Sequence, residues 1–344
     1  MVDDSVVIRH LVRDALDHDP ALLVVGTASN GVIELLKIPQ LNPDVLTLDI
    51  EMPDMDGLET LRRVRLEYPA LRVIMFSTLT ERGAAITLEA LTLGADDYVA
   101  KASNEGSLDR SLKRLREELV PKIKQFFHLA GEINAAPAQP GTARTPLKFS
   151  PATGRPKVVV IGVSTGGPTA LGEILPELPV TFPLPVLVVQ HMPPLFTRLL
   201  AERLNATRKL AVEEAHQGKP VDAGKILIAP GDFHLKVISV AGGVHVYLDQ
   251  SAQENSCRPA VDALVTSVSR EGIRRSGHHR HSDRNGQDGR RGTEILKALG
   301  ATVIAQDAPS SLVWGMPGAV VNAGLADFVL PLNRIAPEIQ RLAY

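Results

Sequence analysis

Two α/β domains, each a doubly wound and largely parallel sheet, joined by a linker, are the architecture this sequence predicts. Apolar strand-like runs alternate with helix-period segments up to about residue 130, the alternation lapses, and it resumes after about residue 155. At 344 residues the chain is long enough for two domains, and 44% hydrophobic against 22% charged residues is the balance of ordinary globular material.

In the first half the strand-like runs are Leu22 to Val25, Val45 to Leu48 and Val73 to Phe76. Between them lie the helix-period segments Val7 to Leu16, Leu58 to Tyr68 and Ala84 to Leu93. The stretch Ala135-Ala136-Pro137-Ala138-Gln139-Pro140-Gly141-Thr142-Ala143-Arg144-Thr145-Pro146 has no periodicity and is rich in Pro and Ala, which reads as a linker. Domains are therefore expected over residues 1–122 and 156–344, with the linker over 123–155. In the second half the apolar runs are Val158 to Ile161, Val186 to Val189, Lys225 to Ala229, Val244 to Leu248 and Thr302 to Gln306.

Composition excludes several classes of function. No apolar run approaches the roughly 20 residues of a bilayer span, and no basic segment followed by an apolar core opens the chain. Cys257 is the single cysteine, so an internal disulfide is excluded and a reducing compartment fits. A cytoplasmic protein without direct membrane insertion is expected. The net charge of −2 gives no reason to expect nucleic-acid binding.

The chemistry of the first half is a set of carboxylates. Asp3 and Asp4 stand near the start, and Asp49 ends an apolar run in Asp49-Ile50-Glu51-Met52-Pro53-Asp54-Met55-Asp56-Gly57. At the C-terminal edge of a parallel sheet such groups converge into a hard-oxygen site suited to Mg²⁺, with one carboxylate free to attack a phosphoryl group. Ser77 and Lys101 follow later apolar runs and would bring a hydroxyl and a cation to the same edge. Any one of them alone reads as a solvated loop residue; the ordered set does not.

That ordered set resembles the receiver domain of two-component response regulators over about residues 1–120, which implies a flavodoxin-like fold. The resemblance implies that Asp49 accepts a phosphoryl group from a chemotaxis histidine kinase, with Asp3 and Asp4 helping to hold Mg²⁺. It further implies that Ser77 and Lys101 contact the phosphoryl oxygens. Two departures stand out. The apolar first strand that precedes the acidic pair in the family is missing here, which suggests a start assigned too late. Ala102 follows Lys101 where many receivers have proline.

In the second half, Ile161-Gly162-Val163-Ser164-Thr165-Gly166-Gly167-Pro168 sets a serine on a sharp turn after an apolar run. Glycines let the backbone bend without a Cβ clash, and amides opening the next helix can stabilise an oxyanion on an acylated serine. Alone this pattern binds nucleotide phosphates as readily as it carries a nucleophile. His191 ends the next apolar run, at the edge that Ser164 occupies if the strands are parallel, and is the natural base. Asp288, in Asn285-Gly286-Gln287-Asp288-Gly289, is the best orienting acid, since its glycines permit a turn that aims it inward. The order Ser-His-Asp differs from the Ser-Asp-His order of α/β-hydrolases.

These segments, with Gln190-His191-Met192-Pro193, Ile228-Ala229-Pro230-Gly231-Asp232-Phe233-His234-Leu235, Arg258-Pro259-Ala260-Val261-Asp262 and Val313-Trp314-Gly315-Met316-Pro317-Gly318-Ala319, resemble the catalytic domain of the CheB methylesterases across about residues 156–342. The resemblance implies a Rossmann-like domain with the triad Ser164, His191 and Asp288, and an oxyanion and substrate vicinity that includes Thr165 and Asn285. It implies hydrolysis of glutamate methyl esters on chemoreceptor cytoplasmic helices, deamidation of receptor glutamines, and no cofactor for the esterase reaction. A receiver before such a domain implies activation by phosphorylation.

The segment Gly272-Ile273-Arg274-Arg275-Ser276-Gly277-His278-His279-Arg280-His281-Ser282-Asp283-Arg284-Asn285-Gly286 departs from the family, which has a buried strand ending in Leu-Thr-Gly-Met-Gly there. A strand buried on both faces does not carry so many basic side chains. Under a permitted choice of codons, reading one nucleotide later restores Ala-Phe-Gly-Gly-Ala-Val-Ile-Thr-Val-Ile-Leu-Thr-Gly-Met-Gly, so a local frameshift in the gene or its reading is expected. Three readings follow: a phosphorylation-controlled methylesterase, a phospho-dependent binding regulator whose esterase domain is damaged, and a Gly-rich nucleotide-binding protein.

Overall fold

The computed structural model describes residues 1–101, 108–127, 156–206, 209–272 and 288–344. The chain forms two compact units, Met1–Ile133 and Asn134–Tyr344. Among the described residues no helix is long and apolar enough to cross a membrane.

The first unit runs α1 (Val6–Leu16), α2 (Gly31–Leu41), β1 (Val45–Asp49), α3 (Gly57–Glu67), β2 (Arg72–Ser77), α4 (Glu81–Thr92), β3 (Asp97–Ala100) and α5 (Leu108–Phe126). The starts of four helices are fixed by side-chain caps: Ser5, Asn30, Asp56 and Thr80 each accept the backbone N–H three residues on. The three strands form a parallel sheet in the order β1-β2-β3, with Asp49 opposite Phe76 and Ser77 opposite Ala100. Asp49 and Ser77 therefore end neighbouring strands at one edge. Helix α5 continues past residue 122, the expected domain end, because Leu115, Leu119, Ile123 and Phe126 share one buried face.

One expected strand is absent. Residues 22–25 have no strand structure, and Leu23 is 83% exposed. The cause lies beside it. Val2 alone bridges Ala28 on one side and Leu48 on the other, both in parallel sense. The Val2 amide donates to the Thr47 carbonyl at 2.8 Å, and the Asp49 amide donates to Val2's carbonyl at 2.9 Å. A single residue between the two segments gives residues 22–25 no ladder to join.

The second unit runs β4 (Val159–Val163), α6 (Gly167–Glu177), β5 (Val186–Gln190), α7 (Pro194–Ala206), β6 (Ala211–Glu214), β7 (Lys225–Ile228), β8 (His234–Val240), β9 (Gly243–Asp249), α8 (Val261–Gly272), α9 (Arg290–Ala298), β10 (Ile304–Gln306), α10 (Met316–Asn322), β11 (Phe328–Leu330) and α11 (Leu332–Ala343). Strands β4-β5-β7-β6 form one parallel sheet and β10-β11 a second. The run at 244–248 instead enters an antiparallel hairpin of β8 and β9. Only two residues separate these strands, too few for the crossover that parallel pairing requires. Gly242 and Gly243, at φ 106° and 136°, make the reversal possible. The hairpin shares a core with α8 and the sheet through Leu187, Leu227, Leu235, Val246, Val261 and Leu264. Of the segment 272–286, Gly272 closes α8 and the rest, Asn285 included, lies outside the described residues.

Candidate active site and carboxylate cluster

Strand register brings Ser164 and His191 to the same sheet edge. Val163 pairs with Gln190, and each of the two candidates follows its strand's last residue. The His191 amide donates to the Val163 carbonyl at 3.2 Å, and the Gly167 amide donates to the Ser164 carbonyl at 2.8 Å, closing the turn. Gly166, in the left-handed region at φ 77°, caps α6. Gln190, 2% exposed, ties the two corners together by donating from Nε2 to the carbonyls of Ser164 at 3.0 Å and His191 at 3.3 Å. Gly167 is required by this packing, since a Cβ there would lie 2.0 Å from Gln190 Oε1.

Asp288 approaches from the loop before α9, where Gly289 at φ 88° turns the chain. Its Oδ2 lies 2.8 Å from His191 Nε2. Oδ2 also accepts the Val261 amide at 2.6 Å, and Oδ1 accepts the Asp262 amide at 3.0 Å, both at the N-terminus of α8. Burial alone would raise the pKa of Asp288, but the His191 hydrogen bond and charge, with these amides, lower it. An ionised Asp288 makes Nε2 the protonated ring nitrogen and leaves Nδ1 as the acceptor. The Cys257 sulfur lies 3.8 Å from Nδ1. Burial opposes the charged imidazole, yet the contacts with Asp288 and Cys257 prevail and push its pKa to about 9. Ser164 and Thr165 are half-buried in the turn, and among the described residues no hydrogen bond joins the Ser164 hydroxyl to the ring. The arrangement is a base–acid pair with a hydroxyl-bearing turn on the adjoining strand, the elements of acyl transfer.

Three residues in this site are not among the site residues expected from the sequence, although Asp262 lies in a matching segment and Cys257 is the chain's single cysteine. Cys257 reaches the ring, Asn255 donates from Nδ2 to Asp288 Oδ1 at 3.0 Å, and Asp262 is 4% exposed beside them. Burial, with the nearby charge of Asp288, raises the Asp262 pKa to about 6 against the Gly292 amide that lowers it. Asn255 and Ser256 both have positive φ, 52° and 61°. An Asn in a polar stretch ahead of a helix is the one hint that a left-handed turn leaves in a sequence.

In the first unit Asp3, Asp4 and Asp49 place ligand oxygens within 4.8 Å of one another. Asp3 and Asp49 are buried and Asp4 is exposed. The Lys101 ammonium lies 2.6 Å from Asp49 Oδ2 and 3.0 Å from Asp3 Oδ2. Burial, with the charge of Asp3, raises the Asp49 pKa to about 6 despite the pull of Lys101. Three oxygen donors converging at this spacing, with two buried carboxylates sharing one ammonium, fit a hard divalent cation. Ser77 ends β2 at the same edge, but its hydroxyl donates to the Thr78 carbonyl at 3.1 Å and accepts from Thr87 Oγ1 at 2.6 Å.

Comparison with known proteins matches residues 159–339 to the CheB methylesterase family and residues 1–113 to the response regulator receiver domain. A protein-glutamate methylesterase/protein-glutamine glutaminase of Trichodesmium erythraeum is 44% identical over 99% of this chain and 97% of its own. Relatives of the same description come from Nocardioides sp., 47% identical over 99% of this chain and 94% of its own, and from Thermotoga maritima, 41% identical over 99% and 97%.

Proposed function

The chain belongs to the CheB methylesterase family, and we propose that it hydrolyses glutamate methyl esters on chemoreceptor cytoplasmic helices, and deamidates receptor glutamines, under control of its receiver domain. The observation that carries the reading is the His191–Asp288 pair at the sheet edge where the Ser164 turn follows the adjoining strand. Ser164 Oγ attacks the ester carbonyl while Nδ1 of His191 takes its proton, and the protonated ring gives that proton to the departing methoxide so that methanol leaves. Water deprotonated by the same ring then cleaves the acyl-enzyme, releasing the glutamate carboxylate and returning the proton to Ser164. To reach Nδ1 the hydroxyl displaces the Cys257 sulfur from the ring. Asp288 holds the ring tautomer and stabilises the imidazolium. Thr165, which follows Ser164 in the turn, lies on the oxyanion side, whereas the Gly167 amide is already given to the Ser164 carbonyl and Pro168 has no N–H to offer.

In the receiver, Asp49 is the phosphoacceptor, and the phosphodonor is a chemotaxis histidine kinase. Asp3, Asp4 and Asp49 would hold Mg²⁺, which offsets phosphoryl charge when bound. Lys101 supplies a cation beside the acceptor oxygen, and Ser77 contacts the phosphoryl group once Thr87 releases its hydroxyl. The working place is the cytoplasm, where such receptor helices and the kinase meet. A purely binding role would leave the His191–Asp288 pair without a use.

Methanol release from methylated chemoreceptor membranes, with and without a small-molecule phosphodonor and Mg²⁺, tests this. Release that rises with the phosphodonor and is abolished by Ser164→Ala is expected. Release that persists in Ser164→Ala would overturn the assignment of the nucleophile.

A further inference from the structure

We infer that Asn255 is a positioning residue for the esterase, acting as an amide bridge that keeps Asp288 correctly bonded beside a second buried carboxyl group. This rests on the acyl-transfer reading of the site. Its Nδ2 lies 3.0 Å from Asp288 Oδ1 and 3.0 Å from Asp262 Oδ2. An amide nitrogen has two hydrogens, so both are committed, one to each carboxylate. With His191 and the amides of Val261 and Asp262, this gives Asp288 four partners on two oxygens, which fills its accepting capacity. Asp262 is in turn fixed by the Gly292 amide, which donates to its Oδ1 at 2.7 Å.

Without the bridge, two buried carboxyl groups would face each other unshielded, and such a pair tends to share a proton. A protonated Asp288 no longer orients the imidazole through an ionic partner. The turn that carries Asn255 is built for the task at some cost. Glu254 and Cys257 exchange backbone hydrogen bonds at 3.2 and 2.9 Å, and the residues between them both adopt positive φ. Asn tolerates that region, but Ser256 does so at a penalty, and strained turns persist where the surroundings impose them. The same turn brings Cys257 to Nδ1, the ring nitrogen of His191 that Asp288 does not hold. The titratable groups around the bridge are therefore His191, Asp262 and Asp288, with Glu254 and Cys257 from the turn itself.

A residue that only staples the turn to α8 would act through its Asp262 bond alone. Exchange of the two groups separates the roles. In the double variant Asn255→Asp with Asp262→Asn, the bond between positions 255 and 262 survives with donor and acceptor reversed, while Asp288 loses its donor and meets a carboxylate. The experiment uses the full chain and methylated chemoreceptor membranes. Asn255→Ala is expected to lower kcat about tenfold to a hundredfold, the range for a lost hydrogen bond to a buried charge, with KM within about twofold. The exchange variant is expected not to recover. Recovery of kcat to within about twofold of the unmodified protein would overturn the proposal, as would an Asn255→Ala loss confined to KM.

A second readout does not need turnover. The proton on His191 Nε2, shared with Asp288, gives a far-downfield NMR signal, assigned by its disappearance in His191→Gln. Asn255→Ala is expected to shift or broaden that signal while leaving the remaining spectrum intact. If the unmodified protein releases no methanol, the esterase reading falls and this signal decides the positioning role. A signal unchanged in Asn255→Ala would sink it.

Discussion

His191 Nε2 lies 2.8 Å from Asp288 Oδ2, and Asp288 accepts on that same oxygen from the first amide of α8 at 2.6 Å. Every group facing this carboxylate is a donor, so an amide in its place must turn a nitrogen toward other nitrogens. Asp288→Asn is thus expected to lower kcat by on the order of 10² to 10⁴ with little change in KM, as loss of the correct tautomer does elsewhere. Methanol release under saturating substrate, with circular dichroism to confirm folding, checks it.

The imidazole of His191 is pushed up to about 9, because its partners outweigh the burial that opposes its charge. A base must be neutral to accept the serine proton, so kcat/KM should climb with pH from neutrality and level off near that value. The stability consequence has the opposite sign. A ring whose folded value exceeds its ordinary 6.5 contributes stability that is complete below 6.5 and is lost as pH rises through about 9. A pH–rate profile taken without phosphodonor, set beside urea midpoints over the same range, tests both. A flat rate profile would refute the assignment of His191 as the base.

Much of this was legible in the sequence because strands announce themselves by apolar runs and their ends by the polar residue that follows. Asp49, Ser77, Ser164 and His191 each end or follow such a run, and parallel register then brings each pair to a common edge. Asp288 was legible through its glycine neighbour, which turns the chain at φ 88°. The bridge from Asn255 was not, since it depends on a turn whose geometry is imposed by α8 and by two buried carboxylates distant in sequence. The run at 22–25 failed as a strand for a reason of the same kind: an apolar stretch pairs only if a neighbour offers a ladder. The run at 244–248 pairs antiparallel within a largely parallel unit because only two residues connect it to β8, a connection too short for a parallel crossover.

Val2 bridges Ala28 and Leu48, with Met1 and Asp3 hydrogen-bonded to Ala28 on either side of it, and is 2% exposed. Removing two buried methyl groups there should cost about 2 kcal/mol, while Leu23→Ala, at an exposed site, should change stability by less than about 0.5 kcal/mol. Hydrogen exchange localises the effect. In Val2→Ala the amide of Asp49, which donates to Val2's carbonyl at 2.9 Å, should exchange faster, and amides bonded between β2 and β3 should not. Equal acceleration throughout the sheet would mean that the single bridge has no local role.

Gly57 caps the acidic loop after β1 through contacts that no side chain can share. Its amide donates to the Ile50 carbonyl at 2.9 Å, and a Cβ built on it would lie 2.2 Å from the Asp49 carbonyl oxygen and 2.8 Å from Ile50 Cα. Both neighbours are backbone, so neither can rotate away, and Gly57→Ala must displace the peptide that carries Asp49 itself. The expected result is loss of the phosphodonor stimulation while unstimulated methanol release persists, since the esterase residues lie in the other compact unit. Gly172 is the control: it is an exposed position within α6 where a Cβ meets nothing within 4 Å, and Gly172→Ala should stabilise its helix by up to about 1 kcal/mol. Phosphodonor stimulation that survives intact in Gly57→Ala would show that the Asp49 loop can shift without losing its function, and would remove the close packing of Gly57 as a requirement for phosphorylation control.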